Sequence, residues 1–159
     1  MKKNLEQRIA RLEAVEEIKR LKSRYAQACD DGYNPETMRS IFTEDAIWDG
    51  GETFGCYEGQ DAICEFFSGI SSQITWSLHY MIAPEIEVND DSKAATGVWY
   101  IWMPFTTDTD NGPCAAWVAG VYHDHYRLGS DGWRISNLKV DLQIVSPYED
   151  GWVKTPRMD

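Results

Sequence analysis

The first thirty residues carry apolar side chains at steps of three and four, which is the spacing of one face of an α-helix. This stripe consists of Leu5, Ile9, Leu12, Val15, Ile18, Leu21, Tyr25 and Cys29. Glutamate, lysine and arginine occupy many of the other positions and can form i,i+3 and i,i+4 ion pairs in water. Asp31-Gly32 follows, and glycine commonly ends a helix because it adopts the left-handed conformation easily. The pattern predicts a helix over residues 4–29.

Two shorter helices are predicted between residues 34 and 70. Asn34 is a good N-cap and Pro35 a good first helical residue, which indicates a helix running to about Phe42. The segment "GQDAICEFFSGI", residues 59–70, is predicted to form a third helix that buries its isoleucine and phenylalanine side chains. Between these helices, "AIWDGGETFGCYEG" predicts two short strands around Gly50-Gly51.

After Ser71 the pattern changes to long alternating stretches separated by turns rich in Asn, Asp and Gly. Four strands are predicted, at about 73–88, 93–108, 114–128 and 132–146. The loops between them are too short for parallel crossovers, so the strands should form an antiparallel meander. Helices followed by a meander indicate an α+β fold: a curved antiparallel sheet of about six strands wrapped by three helices. We expect one domain over residues 1–159, with 147–159 as a C-terminal tail on the surface or on a neighbouring subunit.

Composition narrows the possible partners and location. The formal net charge of −11 argues against nucleic acid and anionic membranes, since either requires a basic patch. No stretch approaches the 18 apolar residues of a membrane span, and no apolar segment follows Lys2-Lys3 as in a signal peptide. The four cysteines form no CxxC pair, which suggests reduced thiols. A cytoplasmic protein is expected.

Three histidines are the first candidates for chemistry. His79 lies mid-way along the predicted strand 73–88 among apolar neighbours, where a histidine is more often part of the core than catalytic. His123 and His125 share one face of a later strand, and such an HxH pair can bind metal if a third ligand is present. No third ligand is evident. We therefore expect no metal, and we expect these two residues at the surface or in a subunit contact.

Asp30 is the carboxylate nearest the buried stripe of the first helix. It can simply solvate the helix end, or it can face a cavity together with Tyr25. Five residues of regular helix turn through about 500°, which leaves the two side chains about 140° apart. They can reach one cavity only if the helix ends near Cys29. The residues alone leave both interpretations open.

Several segments, taken in order, resemble one known family. They are "IKRLKSRYAQACDDG", "PETMRSIFTEDAIWDG", "LHYMIAPEIEV", "AATGVWYIW", "AGVYHDHYRL" and "DGWRISNL". Over roughly residues 10–145 they resemble the SnoaL-like branch of the NTF2-like superfamily, including bile acid 7α-dehydratase, with hexachlorocyclohexane dehydrochlorinase and scytalone dehydratase as wider relatives. The resemblance implies a cystatin-like cone that holds a small hydrophobic or aromatic substrate, in a homo-trimer or homo-dimer.

The resemblance also implies catalytic roles. Dehydratases and dehydrochlorinases of this family use a His–Asp dyad, with the Asp at the end of the first helix and the His five residues before a proline. Asp30 and His79 match these positions. Tyr25 matches a tyrosine five residues before that Asp. The implied roles are proton transfer by His79, orientation of its ring by Asp30, and hydrogen-bond donation by Tyr25, with no cofactor.

Two positions depart from the pattern of the bile acid enzyme. Its second acid, after the "WY" pair, is replaced here by Met103, and its arginine on the last strand is replaced near Leu142 or Gln143. Both departures argue against a carboxylated or CoA-linked substrate held by charge. They also argue against the bile acid reaction itself.

The predicted pocket wall is aromatic and apolar, with one polar anchor. Its members are Trp48, Phe54, Met81, Trp99, Met103, Trp117 and Asn137. Each apolar member would serve equally well in an ordinary core. Seven tryptophans in so small a cone suggest an aromatic or polycyclic substrate.

Three functions remain open at this point. The first, which we expect, is a cofactor-independent lyase of the dehydratase or elimination type, including release of formaldehyde from aryl-propanoid diols. The second is an isomerase or cyclase of steroid- or polyketide-like substrates that works with a single carboxylate. The third is a non-catalytic ligand-binding protein, like the small subunit of ring-hydroxylating dioxygenases.

Overall fold

The computed structural model describes residues 4–155. Its helices are α1 Leu5–Asp30, α2 Pro35–Ile41, α3 Gly51–Phe54, α4 Gln60–Ile70 and α5 Gly151–Lys154. The predicted caps are present: the Asn34 side chain accepts hydrogen bonds from the backbone N–H groups of Glu36 and Thr37. The last four residues of the predicted C-terminal tail lie outside the described part of the chain.

Seven strands form one curved sheet that does not close on itself. They are β1 Phe42–Asp49, β2 Cys56–Glu58, β3 Ile74–Ser77, β4 Tyr80–Val88, β5 Ala94–Thr109, β6 Gly112–Gly129 and β7 Gly132–Pro147. The order is β2-β1-β7-β6-β5, and β3 and β4 both pair with β5 at the far edge. The α+β class is confirmed, and the long meander lies where the sequence predicts it. Residues 4–155 contain seven strands and five helices, whereas about six and three were predicted, because strand 73–88 is divided in two and the short helices α3 and α5 were not expected.

One pairing in the sheet is parallel. Strand β1 runs alongside β7 in the same direction, with Phe42 opposite Ile135 and Trp48 opposite Leu138. The other pairings are antiparallel, as short hairpin loops require. Strand β1 reaches β7 from a distant part of the chain, so no short loop dictates its direction.

The predicted strand 73–88 is broken at Leu78 and His79, so His79 is not mid-strand as the sequence suggested. The Leu78 N–H still donates to the Pro104 carbonyl of β5, at 3.1 Å. The next N–H, that of His79, donates instead to a side chain of α1. A second irregularity follows at Ala83, whose φ of +49° lies within a register shift just before Pro84. The break determines where His79 points.

Helix α1 crosses the concave face of the sheet and buries the second half of its apolar stripe. Burial begins at Ala14 and includes Ile18, Leu21, Tyr25 and Cys29. Leu5, Ile9 and Leu12, the first three residues of the stripe, are exposed. The single chain therefore does not bury the first half of this stripe. Fully buried side chains lie where α2 and α4 meet the sheet, and include Met38, Ile41, Phe42, Ile63, Phe67, Ile135 and Leu138.

Gly120 lies at a register shift between β6 and β7, and a Cβ there would sit 2.5 Å from the backbone oxygen of Asp141. We expect Gly120→Ala to lower the free energy of unfolding by about 1–3 kcal/mol, because the clash is with backbone that must move. Gly69 of α4 is the matched control, since a Cβ there meets nothing within 4 Å. Gly69→Ala should raise stability by about 0.5–1 kcal/mol through helix propensity. Urea unfolding measures both, and equal effects would contradict the packing of β6 on β7.

Candidate active site

Asp30 and His79 are in direct contact. Asp30 Oδ1 lies 2.7 Å from His79 Nδ1 and also accepts the backbone N–H of His79 at 2.9 Å. The His79 side chain is 6% exposed and that of Asp30 is 25% exposed. One carboxylate oxygen therefore holds both the ring and the backbone of the histidine.

Local sequence explains why these two groups meet. Helix α1 ends at Asp30, and the chain then turns through Gly32 and Tyr33, both with positive φ. At the edge of the sheet, the break before β4 leaves the His79 N–H free to bind the carboxylate. Because an ionised carboxylate can only accept, Nδ1 carries the proton and Nε2 is the basic nitrogen. Nε2 has no hydrogen-bond partner among residues 4–155.

The imidazole lines a cavity of about 50 Å³ between the helices and the sheet. Its wall consists of Tyr25, Cys29, Tyr33, Trp48, Phe54, Phe66, Phe67, Ile70, Ile74, His79, Ile101, Met103, Phe105, Val118, Tyr122, Val140 and Leu142. No lysine, arginine or carboxylate from the described part of the chain is in this wall. At about 10–15 Å³ per water, the space holds a few water molecules.

Tyr25 brings a phenol to this wall. Its hydroxyl accepts a hydrogen bond from Trp48 Nε1 at 3.2 Å. Its ring packs edge-on against Phe42, Phe67 and Tyr122, with centroids 6.0 to 6.2 Å apart. Burial raises the pKa of Tyr25 and of Tyr122 well above the ordinary phenol value. Both phenols therefore stay protonated at neutral pH and are available as donors.

Tyr33 was not predicted from the sequence. Its backbone has a φ of +60°, which is unusual for a residue with a side chain. Its ring stacks on Phe67 at 5.8 Å and meets His79 edge-on at 6.1 Å. Burial raises the pKa of this phenol as well. The strained turn after α1 thus presents a third tyrosine next to the dyad.

Half of the predicted site residues line the cavity, and the structure brings them together. His79, Tyr25, Trp48, Phe54 and Met103 are in the wall, with Asp30 directly behind His79. The remaining four predicted residues, Met81, Trp99, Trp117 and Asn137, do not line it.

Each of these four lies elsewhere for a physical reason. Trp99 faces inward like Met103, but it is buried nearer the start of β5. There its Nε1 donates a hydrogen bond to the hydroxyl of Tyr126. Trp117 alternates with the inward residues of β6 and stacks instead on Trp102, 5.0 Å away on the outer face. Neither can reach the cavity.

The other two are displaced by irregular strands. A register shift at His125 and Tyr126 changes the alternation of β7, so Leu138 rather than Asn137 is buried. Met81 packs partly buried against the core on the edge strand. Among the seven tryptophans, all within residues 4–155, Trp48 alone lines the cavity. The tryptophan content was therefore not evidence for a polycyclic substrate.

Several wall residues were missed, and one signal could have found most of them. Ile101 and Phe105 alternate with Met103 on β5, and Val118 and Tyr122 share the inward face of β6. Cys29 follows Tyr25 by one helical turn. Phe66 and Phe67 were expected only as core. Strict strand alternation would have placed the β5 and β6 residues of this set in the wall and Trp117 on the other face.

The positions that depart from the bile acid pattern are informative here. Met103 and Leu142 both face the cavity, where a charged side chain would otherwise stand.

The HxH pair, His123 and His125, is on the opposite, exposed face of the sheet, with His123 Nε2 3.5 Å from an Asp141 carboxylate oxygen. Among residues 4–155, no three His, Cys, Asp or Glu side chains cluster in a way that could hold a metal ion.

Comparison with known proteins identifies the family. The SnoaL-like domain family matches residues 10–139. The chain belongs to this SnoaL-like family. No curated protein matches the chain.

Solved structures show the fold of the SnoaL-like chain. A hexachlorocyclohexane dehydrochlorinase (LinA type 2) is 20% identical with a TM-score of 0.78, covering 87% of this chain and 91% of that one. A candidate scytalone dehydratase from Novosphingobium aromaticivorans is 18% identical with a TM-score of 0.76, covering 87% and 90%. An NTF2-like protein with a cystatin-like fold from the same organism is 19% identical with a TM-score of 0.70, covering 87% and 88%. The chain thus has the NTF2-like fold.

Within residues 4–155, no helix is long and apolar enough to cross a membrane.

The thiols provide a test of how closed the cavity is. Cys29 is 1% exposed and burial raises its pKa, so very little thiolate forms and almost none of its surface is within reach of a bulky reagent. Cys56 is exposed. We expect the disulfide reagent DTNB to label Cys56 rapidly in the native protein and Cys29 only on unfolding. Cys56→Ser should remove the fast phase, and fast native labelling of Cys29 would show an open cavity.

Proposed function

We propose that this protein is a cofactor-independent lyase that eliminates water or a related leaving group from a small neutral aromatic substrate. The observation that carries this proposal is the imidazole of His79, held by Asp30 at Nδ1, with Nε2 unpaired and the ring in the wall of an apolar cavity. Dehydrochlorinase and dehydratase members of the same fold support this class of reaction.

In the proposed mechanism, His79 Nε2 removes the proton from a substrate carbon or phenol. Asp30 keeps the ring in the required tautomer and stabilises the imidazolium that forms. Tyr25 donates a hydrogen bond to the departing hydroxyl or to a developing oxyanion. The apolar wall excludes water, which strengthens each of these interactions.

Release of formaldehyde from an aryl-propanoid diol uses the same groups. His79 takes the proton of the terminal hydroxyl, the C–C bond to the departing formaldehyde breaks, and its electron pair forms the new C=C bond. The hydroxyl next to the ring leaves as water with the proton returned by the imidazolium, while Tyr25 hydrogen-bonds to it.

The cavity narrows the substrate class. An uncharged wall disfavours carboxylates, phosphates and CoA esters, because nothing there compensates their desolvation. A volume of about 50 Å³ is too small for any aromatic ring while the wall stays as it is, since a cavity that binds benzene measures about 150 Å³. A substrate ring therefore enters only if side chains of the wall move. A single ring is favoured because it requires less movement than a fused polycycle.

Two other functions are weaker fits. An isomerase or cyclase that works with one carboxylate would place that carboxylate on the cavity wall, whereas Asp30 lies behind His79. A non-catalytic subunit fits less well, because the contact with Asp30 is enough to fix α1 and leaves Nε2 of His79 at the cavity without a partner among the described residues. The expected cytoplasmic location stays a prediction.

We expect His79→Asn to lower elimination activity by at least about 100-fold, because it removes the group that moves the proton. Asp30→Asn should cause a loss on the order of 100-fold by releasing the ring. His123→Asn is the matched control, since His123 is exposed on the other face of the sheet, and should retain activity. The assay follows formation of the new double bond by absorbance, over a panel of small neutral aromatic alcohols and halides. Activity that survives His79→Asn but not Asp30→Asn would favour the isomerase instead.

A homo-oligomer is also proposed, through the outer face of the sheet edge. Tyr80 and Ile82 of β4 and Tyr100 of β5 are about half exposed and adjacent in the ladder. Adjacent aromatic and aliphatic side chains that are exposed to solvent are typical of a surface that binds another protein chain.

Light scattering coupled to gel filtration tests this assembly. We expect a dimer or trimer of the 18.2 kDa chain, and we expect Ile82→Glu/Tyr100→Glu to be monomeric because the charges would be buried unpaired. Leu128→Glu is the control, since Leu128 is a partly exposed apolar residue near the β6–β7 turn. A wild-type monomer, or an oligomer insensitive to the double change, would contradict this surface.

A further inference from the structure

A buried ion pair lies behind two of the phenols of the cavity wall. Lys22 Nζ is 2.7 Å from Asp124 Oδ2, and both side chains are fully buried. The ammonium also lies over the ring of Tyr122, 3.6 Å from its centroid, and 4.9 Å from the centroid of Tyr25. Asp124 Oδ2 additionally accepts the hydroxyl of Tyr126 at 2.6 Å.

The Lys22–Asp124 ion pair and the two phenol rings are in contact and join helix α1 to strand β6. Lys22 is one turn before Tyr25 on α1. Asp124 is two residues after Tyr122 on β6, on the same inward face. The ion pair therefore ties α1 to β6 at the place where both phenols emerge. The two rings meet edge-on, 6.1 Å apart.

Stability alone does not account for this pair. Desolvation of two buried charges often outweighs their attraction, and an apolar pair of similar size is commonly as stable. Burial lowers the pKa of Lys22, although Asp124 opposes the shift. The second oxygen of Asp124 is buried with no hydrogen-bond partner among the described residues, which adds to the cost. A network so poorly optimised for folding suggests a functional role.

The hydroxyl of Tyr25 lies among polar groups of the cavity wall. It accepts a hydrogen bond from Trp48 Nε1, its ring meets that of Tyr122 edge-on, and Cys29 lies one helical turn further along α1. All four residues line the cavity. A cation over the faces of the phenol rings draws electron density from them and strengthens their O–H groups as donors.

We propose that Lys22 and Asp124 are positioning residues that hold Tyr25 and Tyr122 as a donor pair for one oxygen of the substrate. This inference rests on the proposed function and deepens it: the substrate is a neutral ring that carries a carbonyl or hydroxyl oxygen, bound at the phenols while His79 reaches its proton. The site then has a basic half, His79 and Asp30, and an oxygen-binding half, the two phenols with the ion pair behind them.

The test uses acetophenone labelled with ¹³C at its carbonyl, a neutral single ring with one acceptor oxygen that cannot react by elimination. Hydrogen bonding moves the carbonyl resonance downfield. Lys22→Met/Asp124→Asn removes both charges together and so avoids leaving one charge buried alone. Lys139→Met/Asp141→Asn is the matched control, since Lys139 and Asp141 form a half-exposed ion pair at 3.3 Å.

We expect wild type and the control to shift the bound carbonyl downfield, and Tyr25→Phe/Tyr122→Phe to abolish the shift. Lys22→Met/Asp124→Asn should lose most of the shift and bind about tenfold more weakly, as expected for one weakened buried hydrogen bond. A retained shift and affinity in that variant would overturn the inference, as would a wild type that does not shift the carbonyl.

Two further variants keep the test decisive. If the double variant does not fold, Tyr126→Phe serves in its place. It removes the Tyr126 hydroxyl, which with Lys22 holds the Asp124 carboxylate, and it should reduce the downfield shift of the carbonyl resonance. An unchanged shift there contradicts the inference. His79→Asn should keep the full carbonyl shift, so a failure of the lyase proposal is distinguishable from a failure of the oxygen-binding half.

Discussion

The position of α1 against the curved sheet is the constraint on which the rest of the structure depends. It is fixed at two points that belong to the same helix. At the end of α1, one oxygen of Asp30 binds both the ring and the backbone of His79. Inside, Lys22 meets Asp124 of β6. Between these contacts lie Tyr25 and Cys29, so any shift of α1 along or around its axis would move the cavity wall and the dyad together.

The composition of the cavity wall sets what chemistry it can support. The wall holds one imidazole, three phenols, a thiol and otherwise apolar groups, and its charged partners stand just behind it. A charge that develops on a bound molecule is then met by a few fixed dipoles rather than by mobile water, which is how an enclosed site lowers the barrier to proton transfer. The same wall offers nothing to offset the lost hydration of a charged molecule. Selectivity and catalysis would thus have one physical origin.

Much of the candidate site could be expected from the residues. The residues alone left open whether Tyr25 and Asp30 reach one cavity, and the family resemblance assigned both to the site and paired Asp30 with His79. Pocket residues chosen for being aromatic were less reliable. Trp117 points outward because β6 alternates, and Asn137 does so because a bulge shifts the alternation of β7. Lys22 and Asp124 were missed, since a lysine in an amphipathic helix and an aspartate in a strand are ordinarily solvated.

The three longer helices, the strands β5 to β7 and the hairpins between them follow from the sequence by itself, because helical spacing, strand alternation and turn residues act between near neighbours in the chain. The parallel pairing of β1 with β7, the break that turns His79 toward Asp30, and the small volume of the cavity were decided by tertiary structure. Each depends on groups that are far apart in sequence and meet only after the sheet has curved around α1. The ion pair behind the phenols is the clearest case: its two charges are 102 residues apart, and only the packed fold removes both from water.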